Sequence, residues 1–209
     1  MPDSQLPDDN QSDGRPGWLS RLLTRIVLWK YRQDGWTAVG EVPEPRRFVI
    51  IAAPHTSNWD FVYFLGLVNA LGMNSYFMAK STLFRWPVRR FLLDVGGVPV
   101  DRSSNQNYVQ AMADEFARRK EFILTIAPEG TRGAVRKWKT GFYHIAMAAK
   151  VPIVVGMMDY RRKVGGLGPL IWPTGDYEAD MAKIMEFYRS VTPRHPAKAM
   201  TSITGSTAE

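Results

Sequence analysis

Phe48-Val49-Ile50-Ile51-Ala52-Ala53-Pro54-His55-Thr56-Ser57-Asn58-Trp59-Asp60 is the stretch on which the fold of this chain turns. Its first six residues form an apolar run of strand length, rich in β-branched side chains and closed by a proline. Past Asp60 the pattern turns helical. Phe61 to Met73 is apolar but contains Asn69 and is shorter than the roughly eighteen residues that cross a bilayer, so it reads as a buried helix. The polar residues, including a histidine and an aspartate five positions apart, fall at the break between the two patterns.

The same break recurs downstream, where Phe122-Ile123-Leu124-Thr125-Ile126 gives way to Pro128-Glu129-Gly130-Thr131-Arg132. Other strand-like runs lie at 75–79, 97–100 and 152–158, and helix-like stretches at 58–72, 83–94, 104–119 and 138–149 separate them. The third helical stretch has Ser103 or Ser104 available as a cap and Tyr108, Val109, Met112 and Phe116 along one face. Residues 161–172 read as a hairpin and Glu178 to Arg189 as a closing helix. This alternation predicts an α/β fold with a largely parallel mixed sheet flanked by helices. In such sheets ligands sit beyond the carboxyl ends of the strands, where both polar blocks fall.

Composition narrows the chemistry. There are 209 residues, 45% hydrophobic and 22% charged, enough for one globular domain with a real core. Without cysteine there is neither a thiolate nucleophile nor a Cys-based metal site. A formal charge of +7 favours anionic partners. The scattered basic residues and the lack of a recognition motif argue against nucleic acid, and Asp3, Asp8 and Asp9 are unlike the positive start of a secretory signal. Residues 1–16 and 200–209 lack hydrophobic periodicity and are expected to be disordered tails around a single domain at 17–199. That domain opens with a helix within 17–36, in which Leu19, Leu22, Leu23, Ile26 and Trp29 recur at helical spacing among Arg21, Arg25, Lys30 and Arg32. The helix either lies in a membrane interface or packs on its own core with a solvated basic face.

His55 is a base available near neutral pH, and Asp60 is placed to bond its second ring nitrogen and hold one tautomer. Equally, Asp60 could serve only the helix start. Glu129, Gly130, Thr131 and Arg132 supply a flexible turn, backbone N–H groups, a hydroxyl and a guanidinium, the parts of a phosphate grip, or else a polar turn with a surface Glu–Arg pair. Lys80, ending the second strand, is either a further anion contact or a solvated lysine. His144 reads as packed within its helix, and His195 as structural or exposed. A metal set of His55, His144, Asp60 and Glu129 is conceivable on residue types but lacks a metal-ligand spacing.

As a set, these blocks resemble the glycerolipid acyltransferase family, whose members acylate lysophosphatidic acid, glycerol 3-phosphate and related acceptors. The match consists of His55 and Asp60; Gly96, Val98 and Arg102; Pro128 to Arg132; and Val151 to Val154, in the family's order. Family members often carry Asn and an aromatic where this chain has Pro54 and Ala127. The resemblance implies a glycerol-3-phosphate acyltransferase-like fold with no cofactor or metal, and acyl-CoA or acyl carrier protein as co-substrate. It further implies a lysophospholipid acceptor and peripheral attachment to an anionic membrane surface on the cytoplasmic face. His55 would be the general base oriented by Asp60. Arg102 and Arg132 would hold the acceptor's anionic group, with Glu129, Gly130 and Thr131 shaping the turn. Two other classes remain open at this level: a metal-dependent phosphoester hydrolase using the same His, Asp and Glu, and a non-catalytic protein that binds anionic lipid.

Overall fold

A computed structural model describes residues 16–100 and 105–200. Arg102, the candidate caps Ser103 and Ser104, and most of both expected tails lie outside the described residues. The chain forms α1 (Trp18–Gln33), β1 (Thr37–Val39), β2 (Arg47–Ala52), α2 (Trp59–Ala70), β3 (Ser75–Lys80), α3 (Arg89–Asp94) and β4 (Gly97–Val100). There follow α4 (Asn105–Arg118), β5 (Phe122–Ile126), α5 (Gly141–Ala149), β6 (Ile153–Asp159), β7 (Val164–Ile171) and α6 (Tyr177–Tyr188).

One seven-stranded sheet runs in the order β1-β7-β6-β2-β5-β3-β4. The last five strands in that order are mutually parallel, whereas β7 pairs antiparallel with β6 and parallel with β1. Residues 161–172, expected as a hairpin, supply only a turn and one strand, β7; the hairpin is β6–β7, and its antiparallel pairing makes the sheet mixed. β1 escaped the sequence reading because three residues of half-exposed edge strand carry no alternation to detect. The helix expected over 83–94 is confined to Arg89–Asp94, since Pro87 cannot donate to a preceding turn and disfavours helix at Trp86.

Period-two alternation sends β2 side chains to two buried faces. Val49 and Ile51 join a core with Leu124, Phe116, Phe142 and Met181, under α4, α5 and α6. Phe48 and Ile50 face the opposite core with Met73 and Leu167, on the side covered by α1 and α2. β2 thus leads to a helix on one face and β5 to a helix on the other. The crevice between their carboxyl ends is the kind of switch point at which α/β sheets bind ligands.

α1 docks on α2 through Tyr31 and Gly66, where a β-carbon on Gly66 would lie 2.2 Å from the tyrosine ring. Ser20 and Tyr31 are the buried residues of α1, while Trp18, Leu19, Leu22, Ile26 and Trp29 are exposed, the tryptophans at 72% and 60%. Most of the stripe picked out by helical spacing therefore faces outward rather than onto the core. No helix among the described residues is long and apolar enough to cross a membrane.

Gly66→Ala is expected to lower the unfolding free energy in urea titrations followed by circular dichroism. The overpacking cost of about 1–3 kcal/mol against Tyr31 should exceed the ~1 kcal/mol that alanine gains over glycine in a helix.

Candidate active site

The loop from Ala53 to Asn58 brings β2 into α2, and a buried carboxylate holds it. Asp60 Oδ2 accepts from the Thr56 and Ser57 amides at 2.8 and 2.9 Å and lies 3.1 Å from His55 Nδ1. Its other oxygen accepts from the Tyr160 hydroxyl at 2.5 Å. Burial alone would raise the Asp60 carboxyl, but the hydrogen bonds from His55, Tyr160 and the Ser57 amide outweigh it and hold the group below the usual carboxylate range. An ionised carboxylate only accepts, so His55 must donate from Nδ1, and in the neutral ring the lone pair then sits on Nε2. The helix-start role and the histidine contact, alternatives in the sequence, coexist: Asp60 binds the loop amides and the imidazole through the same oxygen.

Glu129 occupies the opposite environment. It is 5% exposed, and its Oε1 accepts from the His55 backbone N–H at 2.9 Å, across 74 residues of chain. Its Oε2 is buried without a hydrogen-bond partner, and burial pushes this carboxyl up despite the pull of the His55 amide. The surface Glu–Arg pair considered from sequence does not form: Glu129 points inward, while Thr131 and Arg132 are exposed. Gly130 turns the chain at φ 65°, a left-handed conformation that glycine adopts without a β-carbon clash. Near this turn the buried Tyr188 hydroxyl lies 2.9 Å from the Ile51 carbonyl and 2.8 Å from that of Gly156, anchoring α6 to the end of β2 and the middle of β6.

An apolar cavity of about 320 Å3 opens beside this loop. His55, Asn58 and Arg132 line it near the strand ends, Phe61, Phe64, Phe77 and Met78 form its walls, and Ile50, Met73 and Leu167 line it deeper. The lining runs from His55 in the loop back to Ala52 and Ile50 of β2. Such a space suits a flexible hydrocarbon whose reactive end lies at His55.

Not every candidate converges. Lys80 is exposed at the end of β3 and does not line the cavity. His144, expected to pack inside its helix, is exposed, because the buried stripe of α5 runs through Phe142, Tyr143, Ile145 and Ala146 and turns position 144 outward. His195 is also exposed, but its backbone N–H donates to Thr56 Oγ1 at 3.2 Å and ties the C-terminal segment to the loop. Ser57 Oγ accepts from the Trp59 amide at 3.2 Å. Among the described residues no group of three or more His, Asp or Glu is arranged to hold a metal ion. Both Asp60 oxygens are already taken up by donors, and His144 is exposed on α5 whereas Asp60 and Glu129 are buried.

Tyr160 is the site residue that the sequence reading missed. A signal existed: it follows β6, a third parallel strand ending at the same edge of the sheet. Tyr160→Phe should remove one donor from Asp60 and cost about 1.5–3 kcal/mol at neutral pH, the range for a hydrogen bond to a charged group. Because the folded-state pKa of Asp60 is depressed, this contribution is complete above the unfolded value of about 3.9 and fades as pH falls through the folded one. Unfolding free energies of the two proteins should therefore differ at pH 7 and converge in acid.

No curated protein sequence matches the chain significantly. Among solved structures, the 1-acyl-sn-glycerophosphate (LPA) acyltransferase PlsC from Thermotoga maritima has the same fold. It superposes with a TM-score of 0.55 at 21% sequence identity, over 81% of this chain and 76% of that one. The Acyltransferase family model matches residues 38–158, more than half of the chain, from β1 to the last turn of β6, with His55, Asp60 and Glu129 inside it. The chain therefore belongs to the acyltransferase family.

Proposed function

We propose that this acyltransferase moves a fatty acyl group from an acyl thioester, acyl-CoA or acyl carrier protein, to a hydroxyl of a lysophosphatidic acid-class acceptor. The observation that carries this reading is the apolar cavity lined by both His55, whose Nδ1 is engaged by Asp60, and Arg132. The acyl chain lies along Phe61, Phe64 and Phe77 with its carbonyl at His55, and Arg132 meets the acceptor's anionic headgroup. PlsC, which shares the fold, is named for a lysophosphatidic acid acceptor, in keeping with that choice.

His55 Nε2 takes the proton of the acceptor hydroxyl as its oxygen attacks the thioester carbonyl. Collapse of the tetrahedral intermediate forms the ester and breaks the C–S bond, and the imidazolium returns its proton to the departing thiolate. The Asp60 carboxylate stabilises the imidazolium between the two steps. Glu129 acts one bond further away, by holding the His55 backbone. Thr131 and Gly130 present the turn that carries Arg132, and Arg102 assists by the family resemblance alone. No enzyme nucleophile is required.

His55→Ala should lower turnover by on the order of a hundred- to ten-thousand-fold, the usual worth of a general base. The assay is thioester consumption with lysophosphatidic acid. Wild-type turnover by the variant would sink the mechanism.

We also propose that α1 attaches the protein to the cytoplasmic face of an anionic membrane. Its exposed Trp18, Leu19, Leu22, Ile26 and Trp29 enter the acyl boundary while Arg21, Arg25 and Arg32 meet the headgroups. Trp18→Ser with Trp29→Ser should weaken partition into anionic vesicles by on the order of tenfold or more, since burying each large apolar side chain is worth about 1.5–3 kcal/mol. Unchanged co-sedimentation with vesicles would remove α1 as the anchor.

A further inference from the structure

Helix α2 has a second flank. Asp60, Phe61 and Phe64 face the acyl cavity, but Trp59 and Tyr63 face a separate recess of about 240 Å3. The end of α1 and the turn after β6 complete its walls, with Arg194 from the C-terminal segment. It shares a partition with the active site, because Tyr160, which donates to Asp60, also lines the recess.

The charges there do not cancel. Lys30 pairs with Asp34 at 2.6 Å, and the Tyr63 hydroxyl donates to the second Asp34 oxygen at 2.6 Å. Those two hydrogen bonds hold the Asp34 carboxyl low, the one from Lys30 chiefly, so the one carboxylate that lines the recess among the described residues is already satisfied. Lys163 acts on Asp34 through space without contact, and neither Lys163 nor Arg194 makes an ion pair within 4.0 Å among the described residues, so the recess keeps a net excess of two positive charges. Arg194 is instead pinned over two aromatic faces, 5.6 Å from the Trp59 ring and 5.7 Å from that of Tyr160. Lys30 sits 5.3 Å from the same indole. Cations fixed on ring faces in a concavity have lost part of their conformational freedom before any ligand arrives, which favours an anion that reaches them.

We propose that this recess is a binding site for a phosphate monoester, separate from Arg132 at the acyl cavity. Two unpaired monocations match a dianion, and a phosphate monoester carries a charge close to −2 at neutral pH. A carboxylate or a phosphodiester headgroup carries one charge and leaves one cation uncompensated. Trp59 and Tyr63 lie within the residues matched by the family model, whereas Lys163, Arg194 and Tyr160 lie beyond them. The proposal concerns binding and does not depend on the role of His55. The same chemistry reaches the protein as the ribose phosphate of a CoA donor, as a lipid with a monoester headgroup, or as free phosphate.

The test is calorimetric titration of the full chain with adenosine 3′,5′-bisphosphate and with inorganic phosphate. Alongside it runs co-sedimentation with phosphatidylcholine vesicles doped to equal charge with phosphatidic acid, a monoester, or phosphatidylglycerol, a diester. At least one monoester probe should bind saturably. Lys163→Gln combined with Arg194→Gln should weaken it by on the order of tenfold or more, as expected for losing two charge-assisted contacts, while Arg132→Gln leaves it in place. The charge-keeping pair Lys163→Arg and Arg194→Lys should retain most of the affinity, which separates lost charge from lost folding. Binding confined to the bisphosphate identifies a soluble nucleotide source, binding confined to phosphatidic acid vesicles a lipid one, and binding of inorganic phosphate alone a free-phosphate site. Each supports the site. The proposal is overturned if no monoester binds, if removing both cations leaves affinity unchanged, or if phosphatidylglycerol depends on those cations as strongly as phosphatidic acid does.

Discussion

The carboxylate of Asp60 collects four donors from two parts of the chain: the His55 imidazole and the Thr56 and Ser57 amides of one loop, and the Tyr160 hydroxyl from beyond β6. A carboxylate only 7% exposed costs several kcal/mol to keep charged unless it is paired. Each hydrogen bond to a charged group returns about 1.5–3 kcal/mol, so the group stays ionised only while most of its donors are present. The position of the His55 loop, the tautomer of its ring and the seating of Tyr160 are therefore one linked condition. The C-terminal segment joins it twice, through Thr192, whose carbonyl accepts from the Tyr160 amide, and through the His195 amide on Thr56.

Two carboxylates touch the same histidine, and their surroundings push them apart. Asp60, rich in donors, is held low, whereas Glu129, with one oxygen unpartnered beside the buried Tyr188, is pushed up. The first bonds the imidazole ring itself. The second acts on the main chain. It spans the gap between the strand that carries the histidine and the strand that carries Arg132, which is how the turn after β5 and the loop after β2 keep one relative position.

Helix α2 is the wall between two different environments. Phe61 and Phe64 line an apolar cavity, while Trp59 and Tyr63 line a cationic recess, and Asp60 sits between them. The helix can serve both because it is clamped on α1 by the close contact of Gly66 with Tyr31 and stacks its aromatics on Trp36. That clamp also decides which face of α1 remains free, and so leaves its tryptophans outward.

The amino-acid sequence by itself determined the strand and helix runs, since hydrophobic periodicity is a local property, and with them an α/β sheet whose polar blocks follow strand ends. The His55–Asp60 contact was legible for the same reason, five residues being within the reach of one turn. Three features were settled only by tertiary structure. β1 is too short to carry a pattern, and the antiparallel insertion of β7 depends on which edge accepts the hairpin. The contacts of Glu129 with His55 and of Tyr160 with Asp60 join residues 74 and 100 positions apart. Spacing along a chain encodes what one helical or extended segment can touch. Which buried donor meets which buried acceptor across a sheet is decided by strand order, because only packing takes both groups out of water and obliges them to find each other.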